Sequence, residues 1–328
     1  MTGSLDDVVA RLGDAKKVMV TCHLGPDGDS LGSMASLGAL LREHGREVVL
    51  FNPDPPPRNL KFLPGLETLQ KQPGGPHDLT LVVDCGDVQL LGPRFPGREV
   101  TGPLVVLDHH SVSRPFGDVY LCDPSAASVG VLVARIAGKL GWEISPEAAV
   151  GIYVSLVSDT GSFRYANTNA EAFELAAALV ADRGVDPWGV AQRLGEEVPL
   201  PRYRLLAAAL GGIELVHGGK VAVLTVTDEM VKQAGAKWEH SEGLVNYARA
   251  IEGVECGVLV APSREGGTRV SLRTKGRVDA GAICAPLGGG GHRGAAGCTI
   301  ATGLVAGKQV ILEAIGVALG IAPAPAPT

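Results

Sequence analysis

Short apolar segments alternate with helical repeats through the first half of the chain. Apolar residues recur at helical spacing over 30–44, 125–140, 146–163 and 169–184. Continuous apolar segments of strand length lie at 16–22, 46–51, 79–85 and 103–110. Uninterrupted apolar strands that alternate with helices are typical of a parallel sheet covered on both faces. The pattern therefore predicts an α/β domain over residues 1–185.

The pattern changes after about residue 185. A helical connector is predicted at 186–203, and strands in adjacent pairs follow it at 211–219, 220–227, 254–262 and 268–275. Strands that are neighbours in sequence favour a separate, smaller α+β domain, which we assign to 204–322. The low-complexity end of the chain predicts a mobile tail at 323–328.

Composition and charge exclude several classes of protein. The 328-residue chain is 45% hydrophobic and 20% charged, which fits two globular domains. No apolar run approaches the roughly 20 residues of a membrane helix, and the acidic N-terminus is unlike a signal peptide, so we expect a cytoplasmic protein with no membrane partner. The six cysteines show no CxxC spacing. The net charge of -6 argues against binding of long duplex nucleic acid.

Acidic and histidine residues follow the predicted strands of the first half. They are His23, Asp27, Asp29, Asp84, Asp108, His109, His110 and Asp159. Because the carboxyl ends of parallel strands share one edge of a sheet, we expect these side chains to converge. Carboxylates this close would repel one another, and burying them is costly unless cations share the site. Oxygen and imidazole ligands without thiolates favour two divalent ions of the manganese, magnesium or cobalt type.

Each stretch taken alone also has a purely structural explanation. Asp29 or Ser30 would serve as the N-cap of the following helix, and Asp84 would cap the turn after its strand. The adjacent His109 and His110 are harder to explain in this way, because both rings would need partners at the end of a buried strand. The four motifs in this order favour a metal site.

The motifs resemble those of a known family. HLGPDGD at 23–29, VVDCGD at 82–87, DHH at 108–110 and SDTGSFRYANT at 158–168 are similar to the four motifs of the DHH phosphoesterase superfamily. SLRTK at 271–275 and GGGGHRGAAG at 288–297 resemble its C-terminal DHHA1 domain. Length and domain order are similar to the NrnA-like nano-RNase and pAp-phosphatase branch. The resemblance covers nearly the whole chain, and it implies an active site in the cleft between the two domains.

The resemblance also implies roles for the residues of the first domain. Two ions are expected, manganese foremost with magnesium or cobalt as alternatives, and Asp84 would bridge them. The implied ligands are His23, Asp27 and Asp84 for one ion, and Asp29, Asp84, His109 and Asp159 for the other. Asp108 is expected to fix the tautomers of the ligand histidines, which any imidazole ligand requires. His110 is expected to face the phosphate.

Substrate contacts are implied in the second domain. Backbone N–H groups of Gly290 and Gly291, together with His292, are expected to hold a terminal phosphate at a helix start. Arg273 and Lys275 lie two apart on a predicted strand, so they would share a face and grip the same nucleotide. Without the resemblance, the glycine run favours a flexible turn, and the alternative for the basic pair is a solvated strand face.

The activity implied is hydrolysis of short oligonucleotides, dinucleotides foremost, to nucleoside monophosphates, with a 3′-phosphatase activity on pAp beside it. One alternative is a phosphodiesterase for pApA or cyclic-di-AMP. Another is a catalytically silent nucleotide-binding regulator, which the complete set of ligands disfavours. The expected partners are short oligonucleotides or nucleotide bisphosphates, and homodimer formation is left open.

Overall fold

The computed structural model describes residues 3–13, 15–196, 198–264 and 266–321. The chain divides into two units, with the division between residues 197 and 198. The tail predicted at 323–328 lies outside the described residues. Within the described part of the chain, no helix combines the length and the apolar character that crossing a membrane requires.

A five-stranded parallel sheet forms the centre of the first unit, with the strands in the order β2-β1-β3-β4-β5. The strands are β1 (Lys17–Cys22), β2 (Glu47–Phe51), β3 (Leu79–Val83), β4 (Leu104–Asp108) and β5 (Val119–Cys122). Every residue of β3 and β4 is buried, as expected for inner strands covered on both faces. The predicted α/β fold of this half is confirmed.

The edge strand β5 is missing from the sequence prediction. It pairs with β4 from Val105 opposite Val119 to Asp108 opposite Cys122. Its four residues, VYLC, are too few to produce a recognisable apolar run between polar neighbours. The strand nevertheless matters for the site, because it carries the buried Tyr120.

Helices surround this sheet, and their ends follow ordinary capping rules. They are α1 (Leu5–Gly13), α2 (Gly28–Glu43), α3 (Arg98–Thr101), α4 (Val129–Leu140), α5 (Pro146–Asp159), α6 (Ala170–Arg183) and α7 (Pro187–Ala191), followed by a π-helical turn, Gln192–Glu196. Helix α5 begins as predicted, with Pro146 in its first turn and the Ser145 hydroxyl accepting a hydrogen bond from the Ala148 N–H at 3.2 Å. Helix α6 ends at Gly184, which adopts a left-handed conformation.

Small residues let helices α2 and α5 pack at very short range. A Cβ atom added to Gly32 would lie 2.4 Å from the Gly151 carbonyl, and one added to Gly151 would lie 2.6 Å from the Gly32 carbonyl. Next to this crossing the Ser36 hydroxyl donates a hydrogen bond to the Ala148 carbonyl at 2.8 Å. The contact brings together the helix that begins within the HLGPDGD motif and the helix that ends at Asp159.

The second unit contains a mixed six-stranded sheet in the order β10-β11-β9-β8-β7-β6. Its strands are β6 (Glu214–Val216), β7 (Val221–Thr225), β8 (Cys256–Pro262), β9 (Thr268–Thr274), β10 (Gly290–His292) and β11 (Ala295–Ile300). Its helices are α8 (Leu200–Gly211), α9 (Asp228–Gln233), α10 (Val245–Ala250), α11 (Ala280–Cys284) and α12 (Leu304–Ala318). β7 and β8 are parallel and the other neighbours antiparallel, which confirms the predicted smaller α+β domain.

The close crossing of α2 and α5 generates a stability prediction. Replacing Gly151 with alanine should lower the free energy of unfolding by about 1–3 kcal/mol, because the new methyl group overpacks the crossing. Alanine is the better helix former, so this loss would run against helix propensity. The measurement is equilibrium denaturation in urea, monitored by circular dichroism.

The matched control is Gly138→Ala in α4. Gly138 is exposed, and a Cβ atom there would meet nothing within 4 Å. This variant should be neutral or up to about 1 kcal/mol more stable than the wild type. Equal effects of the two substitutions would show that the crossing does not depend on glycine.

Candidate metal centre

Three neighbouring strands of the parallel sheet end at the same level. Cys22 at the end of β1 pairs with Val83 at the end of β3, and Val83 pairs with Leu107 of β4. The residues that follow these pairs are therefore next to one another at the carboxyl edge of the sheet. They are His23 after β1, Asp84 after β3, and Asp108, His109 and His110 at the end of β4.

Two helix ends bring the remaining acidic residues to this edge. Asp27 is the N-cap of α2, and its carboxylate accepts a hydrogen bond from the Ser30 N–H at 3.0 Å while the Ser30 hydroxyl accepts one from the Asp27 N–H. The cap is thus Asp27, and neither Asp29 nor Ser30 plays that part. Asp159 is the last residue of α5.

His23, Asp27 and Asp84 form one group. The His23 Nε2 atom lies 3.6 Å from Asp84 Oδ2 and 4.0 Å from Asp27 Oδ1. One ligand atom from each of the three residues lies within 4.8 Å of the others. Asp27 has about half of its side chain exposed, whereas Asp84 is buried, so this group opens toward solvent on one side.

A second group surrounds His109. The His109 Nε2 atom lies 3.3 Å from Asp29 Oδ2, 3.6 Å from Asp159 Oδ2 and 4.0 Å from Asp84 Oδ1. Asp29 and His109 are almost completely buried. The six residues of the two groups are called the carboxylate cluster below: His23, Asp27, Asp29, Asp84, His109 and Asp159.

Asp84 belongs to both groups through different oxygens. Its Oδ2 faces His23 and its Oδ1 faces His109, which is the arrangement a bridging carboxylate requires. The backbone of Asp84 has a φ of 55°, in the left-handed region, which residues other than glycine rarely adopt, although aspartate and asparagine do so more often than most. Strain of this kind persists where the surrounding structure enforces it, often at functional positions.

Both cluster histidines are oriented by backbone carbonyls. The Nδ1 atom of His23 lies 2.8 Å from the Leu24 carbonyl, and that of His109 lies 2.9 Å from the Ala126 carbonyl. A carbonyl only accepts hydrogen bonds, so each Nδ1 carries a hydrogen and the lone pair of the neutral ring is on Nε2. In both residues Nε2 is the atom that faces the carboxylates. These carboxylate and imidazole ligands, with the histidine rings already oriented, fit two divalent cations.

The charge balance of the cluster supports the same conclusion. Burial opposes a charge on His109, but its hydrogen bond to Asp29 and the charges of Asp29, Asp159 and Asp84 outweigh it and raise its pKa to about 11. Burial raises the pKa of Asp159 to about 8, with the charges of Asp29 and Asp84 acting in the same direction. Without cations, the cluster thus retains protons to limit its negative charge. Cation binding would displace those protons.

Asp108 orients His110 rather than both histidines. Its Oδ1 lies 2.6 Å from the His110 Nδ1 atom, and its Oδ2 accepts a hydrogen bond from the Tyr120 hydroxyl. The expectation that Asp108 also fixes the tautomer of His109 is corrected, because the Ala126 carbonyl occupies the Nδ1 atom of that ring. Adjacent residues point to opposite sides of an extended chain, so one carboxylate rarely serves both.

Two residues at this site escaped the sequence analysis. The Asn167 side-chain amide donates hydrogen bonds to Asp159 Oδ2 at 2.9 Å and to the Ala127 carbonyl at 2.9 Å, which holds the Asp159 carboxylate in place. Tyr120 does the same for Asp108. Asn167 lies inside the SDTGSFRYANT motif, and its place in that motif could have identified it. Tyr120 lies in none of the motifs.

In the second unit, strand register places Arg273 and His292 in one row. Both are paired with Ala295 of β11, Arg273 from β9 on one side and His292 from β10 on the other. Residues directly opposite each other in an antiparallel pair project from the same face. Their backbones are two strand spacings apart, roughly 10 Å. Such a separation allows both side chains to contact one nucleotide.

One expectation for this unit stays a prediction and one is corrected. Lys275 lies just beyond the end of β9, and its ammonium group donates to the Ile251 carbonyl at 3.0 Å, so its grip on a nucleotide together with Arg273 stays a prediction. Gly290 and Gly291 do not begin a helix but form β10, which hairpins onto β11. Glycine is required at Gly291, where a Cβ atom would lie 2.4 Å from the Ala295 carbonyl.

Comparison with known families agrees with this two-part structure. Residues 17–180 match the family model described as "DHH family, N-terminal domain", and residues 218–317 match the model of the "DHHA1 domain". A parallel sheet with a histidine and aspartate centre, followed by a mixed-sheet domain, is thus the architecture of a DHH and DHHA1 protein. The chain belongs to the DHH family.

Named relatives cover most of the chain. The bifunctional oligoribonuclease and PAP phosphatase NrnA of Thermus thermophilus is 35% identical over 288 residues, which span 86% of this chain and 84% of the relative. The protein of the same name from Bacillus subtilis is 28% identical and spans 85% and 87%. An exopolyphosphatase-related protein from Bacteroides fragilis superposes with a TM-score of 0.85 at 23% identity over 95% of each chain, and that likeness concerns the fold alone.

The position of Asp84 between the two groups generates a prediction. Asp84→Asn should lower catalytic activity at least about 100-fold, since even partners that only support a ligand cost 10–100-fold when removed. It should also weaken binding of both ions, because one group then faces an amide nitrogen, which cannot act as a ligand, and the other a neutral amide oxygen in place of a carboxylate oxygen. Asparagine tolerates the left-handed backbone, so the fold should survive. Calorimetric titration with Mn²⁺ and a thermal melt measure both effects.

Asp87→Asn is the control for this experiment. Asp87 belongs to the same VVDCGD segment and caps the turn at Val88–Leu91, a role that asparagine also fills. This variant should bind Mn²⁺ and turn over substrate like the wild type. If Asp84→Asn still bound two ions with unchanged affinity, the bridging assignment would be wrong.

Proposed function

We propose that this protein is a metal-dependent phosphoesterase that hydrolyses short oligonucleotides to nucleoside monophosphates and also removes the 3′-phosphate of pAp. The observation that carries the proposal is the sharing of Asp84 between two groups of histidine and aspartate side chains. The relatives named bifunctional oligoribonuclease and PAP phosphatase support it, since their similarity extends over both domains. A phosphodiester and a phosphomonoester present the same P–O bond to such a site.

Two divalent ions bound in this way would supply an activated water and neutralise the charge that develops on the phosphoryl oxygens and the leaving group. We assign His23, Asp27 and Asp84 to one ion and Asp29, Asp84, His109 and Asp159 to the other. The residues keep their fixed orientation through backbone carbonyls and Asn167. No side-chain nucleophile is needed.

His110 and Asp108 have a separate role in the proposal. The Asp108 carboxylate accepts a hydrogen bond from the His110 Nδ1–H, so when the ring is protonated its Nε2–H, on the other side, can donate to a phosphoryl oxygen. The Tyr120 hydroxyl holds the second oxygen of Asp108, so the pair is anchored in the sheet. His110 then aligns the scissile phosphate, and Asp108 aligns His110.

Manganese is the ion we propose, with magnesium or cobalt as alternatives. Imidazole nitrogens beside several carboxylates suit Mn²⁺ or Co²⁺, whereas Mg²⁺ usually takes fewer protein ligands and keeps more water. The direct test is the activity of chelator-treated protein with each metal in turn. It should be restored most by Mn²⁺ and not at all by Ca²⁺.

The substrate class is tested by a panel assayed at fixed Mn²⁺ and salt. The panel contains pApA, pAp, cyclic-di-AMP and a labelled 24-mer RNA. The proposal expects turnover of pApA and pAp and little of the other two. Faster turnover of cyclic-di-AMP would favour the cyclic-dinucleotide phosphodiesterase, and binding without turnover of any compound would indicate a regulator.

Substrate length provides a quantitative prediction. kcat/KM should fall by at least about tenfold between two nucleotides and 24, because a chain with a net charge of -6 has little non-specific hold on a long phosphate backbone. The measurement is kcat/KM for RNAs of 2, 3, 5, 10 and 24 nucleotides. A flat profile, or processive degradation of the 24-mer, would contradict the preference for short substrates.

The cross-strand row formed by Arg273, Ala295 and His292 yields another prediction. We propose that Arg273 and His292, together with backbone groups of the glycine hairpin, bind the phosphate of the nucleotide. Arg273→Ala and His292→Ala should leave Mn²⁺ binding intact and raise KM about tenfold or more, since a hydrogen bond to a charged group contributes about 1.5–3 kcal/mol. The measurements are Mn²⁺ titration and steady-state kinetics on pApA.

Arg269→Ala is the matched control for the two variants. Arg269 lies on the same strand and, at a spacing of four residues, on the same face as Arg273, but it is paired with Thr299 near the other end of β11. It should change KM little. Loss of Mn²⁺ from Arg273→Ala or His292→Ala would move that residue into the metal site and refute its proposed role.

A further inference from the structure

Asp29 of the carboxylate cluster is surrounded by hydrogen-bond donors that lie outside the sequence motifs. The Val129 N–H, at the start of α4, donates to Asp29 Oδ1 at 3.1 Å and to Oδ2 at 3.0 Å. The Ser155 hydroxyl of α5 lies 2.6 Å from Oδ1, and the Ser33 hydroxyl of α2 lies 3.2 Å from the same oxygen. Asp29 and the two serines are buried. Three helices thus contribute to the environment of a single carboxylate.

The hydrogen of the Ser155 hydroxyl has one favourable direction. Its Oγ atom accepts a hydrogen bond from the Gly130 N–H at 2.9 Å and lies 2.8 Å from the Ser128 hydroxyl, which can donate as well as accept. The ionised carboxylate of Asp29 can only accept. A distance of 2.6 Å is typical of a hydroxyl that donates to a charged oxygen. Ser155 therefore receives a hydrogen bond from the start of α4 and donates one to Asp29.

The backbone around Ser155 is shaped to let its side chain reach this position. A Cβ atom on Gly130 would lie 2.3 Å from the Ser155 Oγ atom, and one on Gly32 would lie 2.9 Å from the Ser155 nitrogen. Both positions must stay without a side chain while Ser155 occupies its place. Helices α2, α4 and α5 thus approach one another closely where the hydroxyl meets Asp29.

The two oxygens of Asp29 consequently have different tasks. Oδ1 receives the hydroxyls of Ser155 and Ser33, while Oδ2 lies 3.3 Å from His109 Nε2. We infer that Ser155 is a positioning residue: it fixes the rotation of the Asp29 carboxylate so that Oδ2 is presented, beside His109, to one of the two ions. The inference rests on the proposed two-metal function and deepens it.

The test is the binding of Mn²⁺ to Ser155→Ala. Calorimetric titration of the wild type should show two ions per chain. In the variant, the ion assigned to Asp29, His109 and Asp159 should bind about 10–100-fold more weakly, as is typical when a partner of a ligand is removed. The electron paramagnetic resonance spectrum at limiting Mn²⁺ should lose the signal of two coupled ions and retain that of a single ion. Raising the Mn²⁺ concentration should restore both the coupled signal and the activity.

Ser36→Ala is the control that separates positioning from packing. Ser36 is buried between α2 and α5, where its hydroxyl oxygen lies 2.8 Å from the Gly32 carbonyl and 2.8 Å from the Ala148 carbonyl, so its one hydrogen is shared between them. Its loss should lower the melting temperature without changing Mn²⁺ affinity. If Ser155→Ala unfolds below the assay temperature, Ser155→Cys replaces it, since a thiol fills the site but is a much weaker donor to the Asp29 carboxylate. This substitute should weaken the binding of the same ion, the one assigned to Asp29, His109 and Asp159.

The outcomes separate this inference from the proposed function. A wild type that binds no Mn²⁺ would refute the two-metal function itself. A wild type that binds two ions, with Ser155→Ala or its substitute binding both unchanged, would overturn the positioning role and leave the function standing. The role would also be overturned if Ser36→Ala weakened Mn²⁺ binding as much as Ser155→Ala, or if Ser155→Ala weakened both ions equally.

Discussion

Repulsion among carboxylates at the edge of the parallel sheet is the constraint on which the rest of the first unit depends. Asp27, Asp29, Asp84 and Asp159 meet around two histidines, and most of these side chains have little access to solvent. Such an arrangement is costly unless positive charge is shared within it. The surrounding structure offsets part of this cost with hydrogen-bond donors already in place. The N–H group at the start of α4 donates to Asp29, the Asn167 amide donates to Asp159, and the capping box of α2 donates to Asp27.

Holding these groups in place requires a rigid frame, and the backbone shows how it is made. Strand ends contribute His23, Asp84 and His109, whose spacing follows from the hydrogen bonds of the sheet. The acidic residues on helices depend on the crossing of α2 and α5, which glycine and serine keep short. A wider crossing would move Asp29 away from Asp159 and from the ion proposed between them. The geometry of the proposed metal site therefore depends on how closely α2 packs against α5.

Much of this arrangement was predictable from the sequence because it depends on periodicity and strand ends. The parallel sheet, the second domain and the convergence of His23, Asp84 and His109 all follow from apolar runs that end in polar residues. Strand β5 was not predictable, since four residues carry too little pattern. The hairpin at Gly290 was mistaken for a helix start, because glycine permits either and the antiparallel pairing with β11 decides. Partners such as Tyr120 and Ser155 depend on contacts between distant elements, which local sequence does not encode.

In our proposal, the residues of the metal centre do not determine which substrate is selected. The six residues of the carboxylate cluster are all assigned to ions in our proposal, so none is left to recognise a base or a sugar. Ions treat any phosphoryl oxygen alike, which makes such a centre equally suited to phosphodiesters and phosphomonoesters. In our proposal discrimination comes from residues such as Arg273 and His292, whose common partner Ala295 sets their spacing. In this chain, the residues opposite Ala295 are therefore where we expect substitutions to change the substrate preference without changing the ions.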